Sequence, residues 1–364
     1  MKTNVYTSTK PSVSCLSHVP SSFAISSIRH GGFTLVELMI SLVLGLLISA
    51  AALQIFYTSS VNSRRQAASS QIQDNSTFGF SQIQQHLRRT NYGAKPTNTR
   101  DEFFMNHLTP QGGVVLTAPS GASSNWLEGN LSGLVLNNAA VPNALLSSSL
   151  STNSLSNLNG IANSDQLTIQ YQSDQEGIFD CEGDAIPRGF YVIERYFVRM
   201  DETVTPNTPG LACASAIYDY NDASAGSATG IDIASYTDPN AGTKTNNLAG
   251  SGTIIIPNVD YFRVLLGVST STGFATFPDT SNISYRPIPS PATQLGNQRI
   301  VSLQIGVLAR SNDPTATTQA NSALSFTVLD RANTRLNAAA TAGPSYLRNV
   351  YESTVLLRNA RGGL

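Results

Sequence analysis

"GGFTLVELMISLVLGLLISAAALQIFY", residues 31 to 57, is the stretch that decides the fold. From Phe33 to Tyr57 it carries one formal charge, Glu37. A helix of that length rises about 37 Å, more than the roughly 30 Å of bilayer hydrocarbon. A carboxylate at the centre of such a helix costs about 2.5–3.5 kcal/mol on insertion scales, so its presence needs a reason. Before the run stand Lys2, Lys10 and Arg29, with no acidic residue. That asymmetry holds the N-terminus in the cytoplasm and sends the following chain across the membrane. A secretory signal cut near Ser49-Ala50-Ala51-Ala52 fits the small residues there. The apolar run is too long for its h-region, however, and contains a charge. A plain membrane tether leaves Glu37 without a purpose.

Gly32, Phe33, Thr34, Leu35, Val36, Glu37 and Leu38 read G-F-T-L-V-E-L. This resembles the class III signal of type IV pilins and their relatives. The resemblance implies that a prepilin peptidase cuts between Gly32 and Phe33 and that Phe33 is then N-methylated. Cleavage places a cationic amine four residues before Glu37, on the same helix face. The carboxylate also suits the positive end of the helix dipole. The resemblance further implies that Glu37 is the assembly charge, meeting the amine of a neighbouring subunit in a low-dielectric bundle. Residues 1–32 would be a leader, long for this family. No other Met precedes Met39, so a shorter product would need a non-Met start codon. Cys15 would leave with the leader. Cys181 and Cys213 remain, and a pair in an exported domain points to one disulfide. A metal site would need further ligands, and His86 and His107 stand far off in sequence.

The remaining sequence describes a large head. Charged residues are only 12% of the 364, and the mean hydropathy is −0.07. Such a neutral, hydroxyl- and amide-rich surface is common in exported proteins. The mature chain would carry 19 basic residues (22 less Lys2, Lys10 and Arg29) against 23 acidic, a net charge of −4. No basic stripe with interleaved aromatics is present, which argues against direct nucleic-acid binding. From Gln54 to Thr90 there is no proline, and Ile72, Phe80, Ile83 and Leu87 fall on one stripe of a 3.6-residue period. Arg64, Arg65, Gln66, Gln82 and Gln85 cover the other faces, and Asn91-Tyr92-Gly93 and Pro96 end the helix.

Beyond Pro96 the pattern is one of strands. Leu167, Ile169 and Tyr171 alternate with Thr168, Gln170 and Gln172, as in a half-buried strand. Gly189 to Met200 is aromatic-rich and strand-like; Phe262, Val264 and Leu266 alternate, and so do Val301, Leu303, Ile305 and Val307. Val350 to Leu357 forms a last strand. No helical pattern separates these strands, which favours an antiparallel sheet. Residues 147–163 and 219–252, rich in Ser, Asn, Ala and Gly, read as surface loops or partly disordered insertions.

A second set of residues runs along the chain: Leu87, Arg88, Tyr92 and Gly93; Asp165, Gln166 and Leu167; Cys181 and Cys213; and Leu357, Arg358 and Asn359. In this order they resemble the PilW-type minor pilins. The fold class implied is α+β and pilin-like, a long N-terminal helix, transmembrane in its first half, packed on an antiparallel β-sheet head. The expected divisions are a leader at 1–32, a transmembrane and polymerisation half at 33–57, an amphipathic half at 58–92, and the head at 93–364. The resemblance implies a structural subunit that helps to assemble or prime a type IV pilus, with downstream roles in twitching motility, adhesion or DNA uptake. It implies as partners major and minor pilins, the prepilin peptidase, the inner-membrane assembly platform and a tip adhesin. The chain would sit in the inner membrane with its head periplasmic, then in the surface fibre. A J-like pseudopilin of type II secretion is the alternative, though the Leu-Arg-Asn ending and the cysteine placement favour the pilus. A tethered binding or enzymatic domain is the reading of a different class.

No catalytic motif is found: the phosphate-binding, dinucleotide-binding, nucleophile-elbow and zinc-protease patterns are all missing from the sequence. No cofactor is expected. His86 reads as solvent-facing or packed on its helix. Asp180, Glu182 and Asp184 around Cys181 offer a cation site or a solvated turn, and the turn is the simpler reading. The run from Asp219 lacks the glycine and closing glutamate of a calcium loop. Trp126 and the Tyr and Phe clusters read as core rather than a ligand platform.

Overall fold

The computed structural model describes residues 32–94, 105–117, 129–221, 229–269, 283–289, 295, 298–315 and 320–360. Residues 1–31 of the expected leader, with Cys15, and Pro96 and Trp126 lie outside them, as do residues 222–228 of the second expected loop. The chain divides into two compact units, one ending at Tyr57 and one beginning at Thr58. One helix, α1 (Leu35–Arg89), runs through that boundary. Its first half is apolar on all sides and exposed in this chain. It is long and apolar enough to cross a membrane by length and composition.

In the second unit α1 becomes one-sided. Ala68, Ile72, Ser76, Gly79, Phe80, Ile83, His86 and Leu87 are buried, a wider stripe than the four apolar positions read from the sequence. Gly79 belongs to it for a packing reason. A Cβ there would lie 2.2 Å from Cγ1 of Ile256, so the helix can approach the sheet only without a side chain. After Arg89 the chain turns through two left-handed residues, Asn91 and Gly93, an arrangement these residue types tolerate at a helix end.

Two larger sheets dominate the head. The first comprises β1 (Gly113–Val114), β2 (Leu167–Gln172), β3 (Tyr191–Asp201), β4 (Thr208–Tyr218) and β5 (Thr253–Pro257), in that spatial order. All its neighbours are antiparallel, with Leu167 opposite Tyr196 and Cys213 also opposite Tyr196. The chain leaves this sheet through Asn258, a left-handed residue, and enters the second. That sheet holds β6 (Val259–Ser269), β7 (Ile283–Pro287), β8 (Arg299–Arg310) and β9 (Arg348–Leu356) in the order β7-β6-β8-β9, again antiparallel. Phe80, Ile83 and Leu87 of α1 share one core with Ile169, Val192 and Val198 of the first sheet and Phe262, Val264 and Ile305 of the second.

Three expectations are corrected. β2 is not half-buried: Thr168 and Gln170 are as buried as their apolar neighbours. A second cluster, including Val115, Leu134, Leu146, Ile193 and Tyr218, covers the far face of the sheet. The polar side chains survive there because Thr168 Oγ1 donates to the Leu145 carbonyl at 2.7 Å and Gln170 Nε2 donates to the Tyr218 hydroxyl. Residues 147–163 are no loose insertion. Ser147, Ser151 and Ser154 are buried, and Leu155–Leu158 pairs with Ile161–Asn163 in a hairpin. The described part of 219–252 is ordered too, with the hairpin Ser235–Asp238/Gly242–Thr245 and buried Ile233, Tyr236 and Leu248. Small hydroxyl residues look like linker in composition. Here they bond to backbone in tight quarters, as Ser147 Oγ does to the Thr168 carbonyl at 3.0 Å. Two small pairings among the described residues depart from the antiparallel rule: Ile231–Asp232 runs parallel to Leu134–Val135, and the isolated bridge between Leu116 and Ser147 is parallel.

Candidate functional site

At the start of α1, Thr34 and Glu37 hold each other. The Glu37 backbone N–H donates to Thr34 Oγ1 at 3.2 Å. In return the Thr34 N–H and hydroxyl both donate to Glu37 Oε2 at 3.4 Å. This reciprocal pattern is a capping box, which satisfies amides that the first helical turn leaves open. Glu37 therefore has one local role independent of any partner. The two bonds to its carboxylate are long, and both fall on one oxygen. A carboxylate so weakly held has capacity for a stronger cationic donor. Gly32 has nothing within 4 Å of where a side chain would start, and Phe33 is 84% exposed. The three site residues read from the sequence are thus gathered at one open helix end.

In the second unit, the foot of α1 is joined to the head by a buried polar cluster that sequence reasoning missed. Glu194 on β3 is fully buried. His86 Nδ1 stands 2.8 Å from its Oε1. Tyr171 from β2 donates at 2.9 Å and the Cys181 N–H at 3.1 Å to the same oxygen, while the Tyr196 hydroxyl donates at 2.7 Å to Oε2. Burial alone pushes the Glu194 carboxyl up, but the His86 ring and the bonds from His86, Tyr196 and Tyr171 outweigh it and hold it below the usual carboxylate range. His86 is therefore packed, not solvent-facing. The available signal was Glu194 itself, a carboxylate amid "YVIERYFV" (Tyr191–Val198).

Cys181 and Cys213 are joined in a disulfide, both buried. The acidic turn around Cys181 is solvated at its tip, where Asp184 is exposed and Glu182 half-buried, while Asp180 is buried at its base. Asp180 Oδ1 accepts from the Glu182 and Asp184 amides at 3.0 and 2.8 Å, and Ser215 donates to its Oδ2. Burial, with lesser help from the charges of Glu194 and Asp184, pushes the Asp180 carboxyl up to about 6, against the opposing Ser215 bond. Among the described residues no group of three or more His, Cys, Asp or Glu side chains is placed to hold a metal ion.

The motif residues at the two ends of the head also meet. Asn359 Nδ2 lies 3.3, 3.4 and 3.3 Å from the carbonyls of Arg88, Arg89 and Thr90, and Asn91 Nδ2 donates to the Asn359 carbonyl at 2.6 Å. A C-terminal asparagine thus caps the open end of the helix. Asp165 anchors the centre. Both its oxygens lie 3.1 Å from Arg263 Nη1, and the other side of that guanidinium clasps Asp330 at 2.7 and 2.6 Å.

Two family models match the chain. The prokaryotic N-terminal methylation motif covers residues 28–53, and the type IV pilus-assembly protein W model covers residues 196–359. Among solved structures, a type IV-like pilin from Thermus thermophilus is similar at 13% identity. The match covers 54% of this chain and 80% of that one, with a TM-score of 0.23, too loose a superposition to align residues on. No curated protein matches. With the methylation motif at its helix start and the assembly-protein pattern over residues 196–359 of its head, the chain is similar to type IV pilins and, among them, to the PilW type.

Proposed function

We propose that this protein is a minor pilin that enters or primes a type IV pilus through its N-terminal helix. In this reading the prepilin peptidase cuts between Gly32 and Phe33, Phe33 is methylated, and residues 33–57 anchor the chain in the inner membrane before assembly. The head then stands in the periplasm and later at the cell surface. It meets major and minor pilins, the assembly platform and a tip adhesin, and so serves motility, adhesion or DNA uptake. The role is structural, not enzymatic.

The observation that carries the reading is the state of Glu37: capped to its own chain by two long bonds on one oxygen, within an exposed apolar helix. In hydrocarbon such a carboxylate is under-satisfied, and the methylated amine of a neighbouring Phe33 is a fitting complement. Glu37→Gln separates the two roles. Glutamine serves equally well at the third position of a capping box but carries no charge. Glu37→Gln should strongly reduce the protein's recovery in sheared surface fibres, measured by immunoblot against its level in membranes. Wild-type recovery would leave Glu37 as a cap alone and defeat the proposed assembly role.

A further inference from the structure

Beside the second sheet, two hairpins border an open surface cleft of about 600 Å³, on which Asn159, Asn333 and Arg335 are exposed. One hairpin is Leu155–Leu158/Ile161–Asn163, contributing Asn159 and Ile161. The other is Ser325–Val328/Arg331–Arg335, contributing Arg331, Asn333 and Arg335. The walls are set by the fold. The Asn159 N–H donates to the Arg335 carbonyl at 2.7 Å, and Leu158, Tyr261, Leu308, Val328 and Leu336 form a buried cluster of their own. A preformed cleft of this size suits a small ligand.

Its chemistry is lopsided. Asp330 is the one carboxylate among the described lining residues, and both of its oxygens are already taken by the buried guanidinium of Arg263. Arg331 feels the Asp330 charge, yet neither Arg331 nor Arg335 forms an ion pair among the described residues. Arg331 Nε is a buried donor with no hydrogen-bond partner among the described residues. Such a group costs about 1–3 kcal/mol unless something accepts from it. Two guanidinium groups favour an oxyanion, which they can grip with paired bonds. The amides of Asn159 and Asn333 can both donate to and accept from hydroxyls. Ile161 offers an apolar surface for a ring's C–H face.

We propose that this cleft binds a carboxylated saccharide, with Arg331 and Arg335 on the carboxylate and Asn159 and Asn333 on the hydroxyls. This goes beyond the pilin reading and does not depend on it. The test is calorimetric titration of the full chain in detergent with galacturonate, with galactose and inorganic phosphate as separate arms. Galacturonate should bind saturably and more tightly than either control. The double variant Arg331→Gln/Arg335→Gln should weaken it at least tenfold while leaving thermal unfolding unchanged. Phosphate binding as tightly as galacturonate would overturn the saccharide assignment and leave a bare oxyanion site. Absence of galacturonate binding, or binding indifferent to the double variant, would overturn the proposal altogether. A positive titration together with failed fibre incorporation of the wild type would sink the pilin reading and leave the cleft standing.

Discussion

Glu194 receives four donors, from α1, β2, β3 and the turn at Cys181, and so is the residue through which the helix foot is fastened to the head. Removing one partner of a buried pair typically costs about 3–5 kcal/mol. The Tyr and backbone donors remain in His86→Leu, which places its loss near the lower end of that range, read by denaturant unfolding of the full chain in detergent. Two carboxyls here give opposite pH dependences. The folded Glu194 carboxyl is held low, so its stabilisation is present above the unfolded value of about 4.3 and is lost as pH falls through the folded one. Asp180 is held high, so its contribution is present below about 4. It is lost as pH rises through about 6. Asp180→Asn should therefore flatten the dependence of the melting temperature between those limits, while Glu194→Gln should flatten it only below them. If neither variant alters the profile, other groups govern it. None of this was legible from His86, which in sequence is one polar residue on a helix; the partner lies over a hundred positions on.

At the scale of elements, the apolar period gave the helix stripe, and burial of Ile72, Phe80, Ile83 and Leu87 agrees with it. Alternation located β2, β6 and β8 but misjudged how many faces were covered, because a strand's own pattern cannot report a second layer built from distant residues. The end of α1 depends on such a residue. Asn359→Ala removes the donor shared by three helix-terminal carbonyls and should cost about 1–2 kcal/mol. Faster amide exchange over residues 87–93 would localise the effect, and unchanged exchange would show that the cap contributes nothing. The disulfide crosses a sequence separation of 32 residues from the Cys181 turn to β4. A loop of that size corresponds to about 3–4 kcal/mol of restricted unfolded-state entropy. Cys181→Ala/Cys213→Ala should lower the unfolding midpoint by the corresponding amount, checked against the wild type with and without reductant.

For the whole molecule, the proposal of cleavage predicts one product. Intact-mass and N-terminal sequencing of the membrane fraction should give a chain beginning at N-methylated Phe33; a start near Leu53 would restore the ordinary signal-peptide reading. The sequence by itself determined the apolar helix, its acidic start, the family pattern and the strand-rich head. These are local properties: periodicity, motif spacing and residue order survive without any knowledge of neighbours. Only the tertiary structure decided that Ser147, Ser151 and Ser154 of the serine-rich segment are buried, that Gly79 marks a close helix–sheet approach, that His86 meets Glu194, and that Asn359 closes the helix end. It alone assembled the arginine-lined cleft from two hairpins. Each of these depends on which distant groups the fold brings within a hydrogen bond or a van der Waals contact, and no one-dimensional pattern encodes that distance.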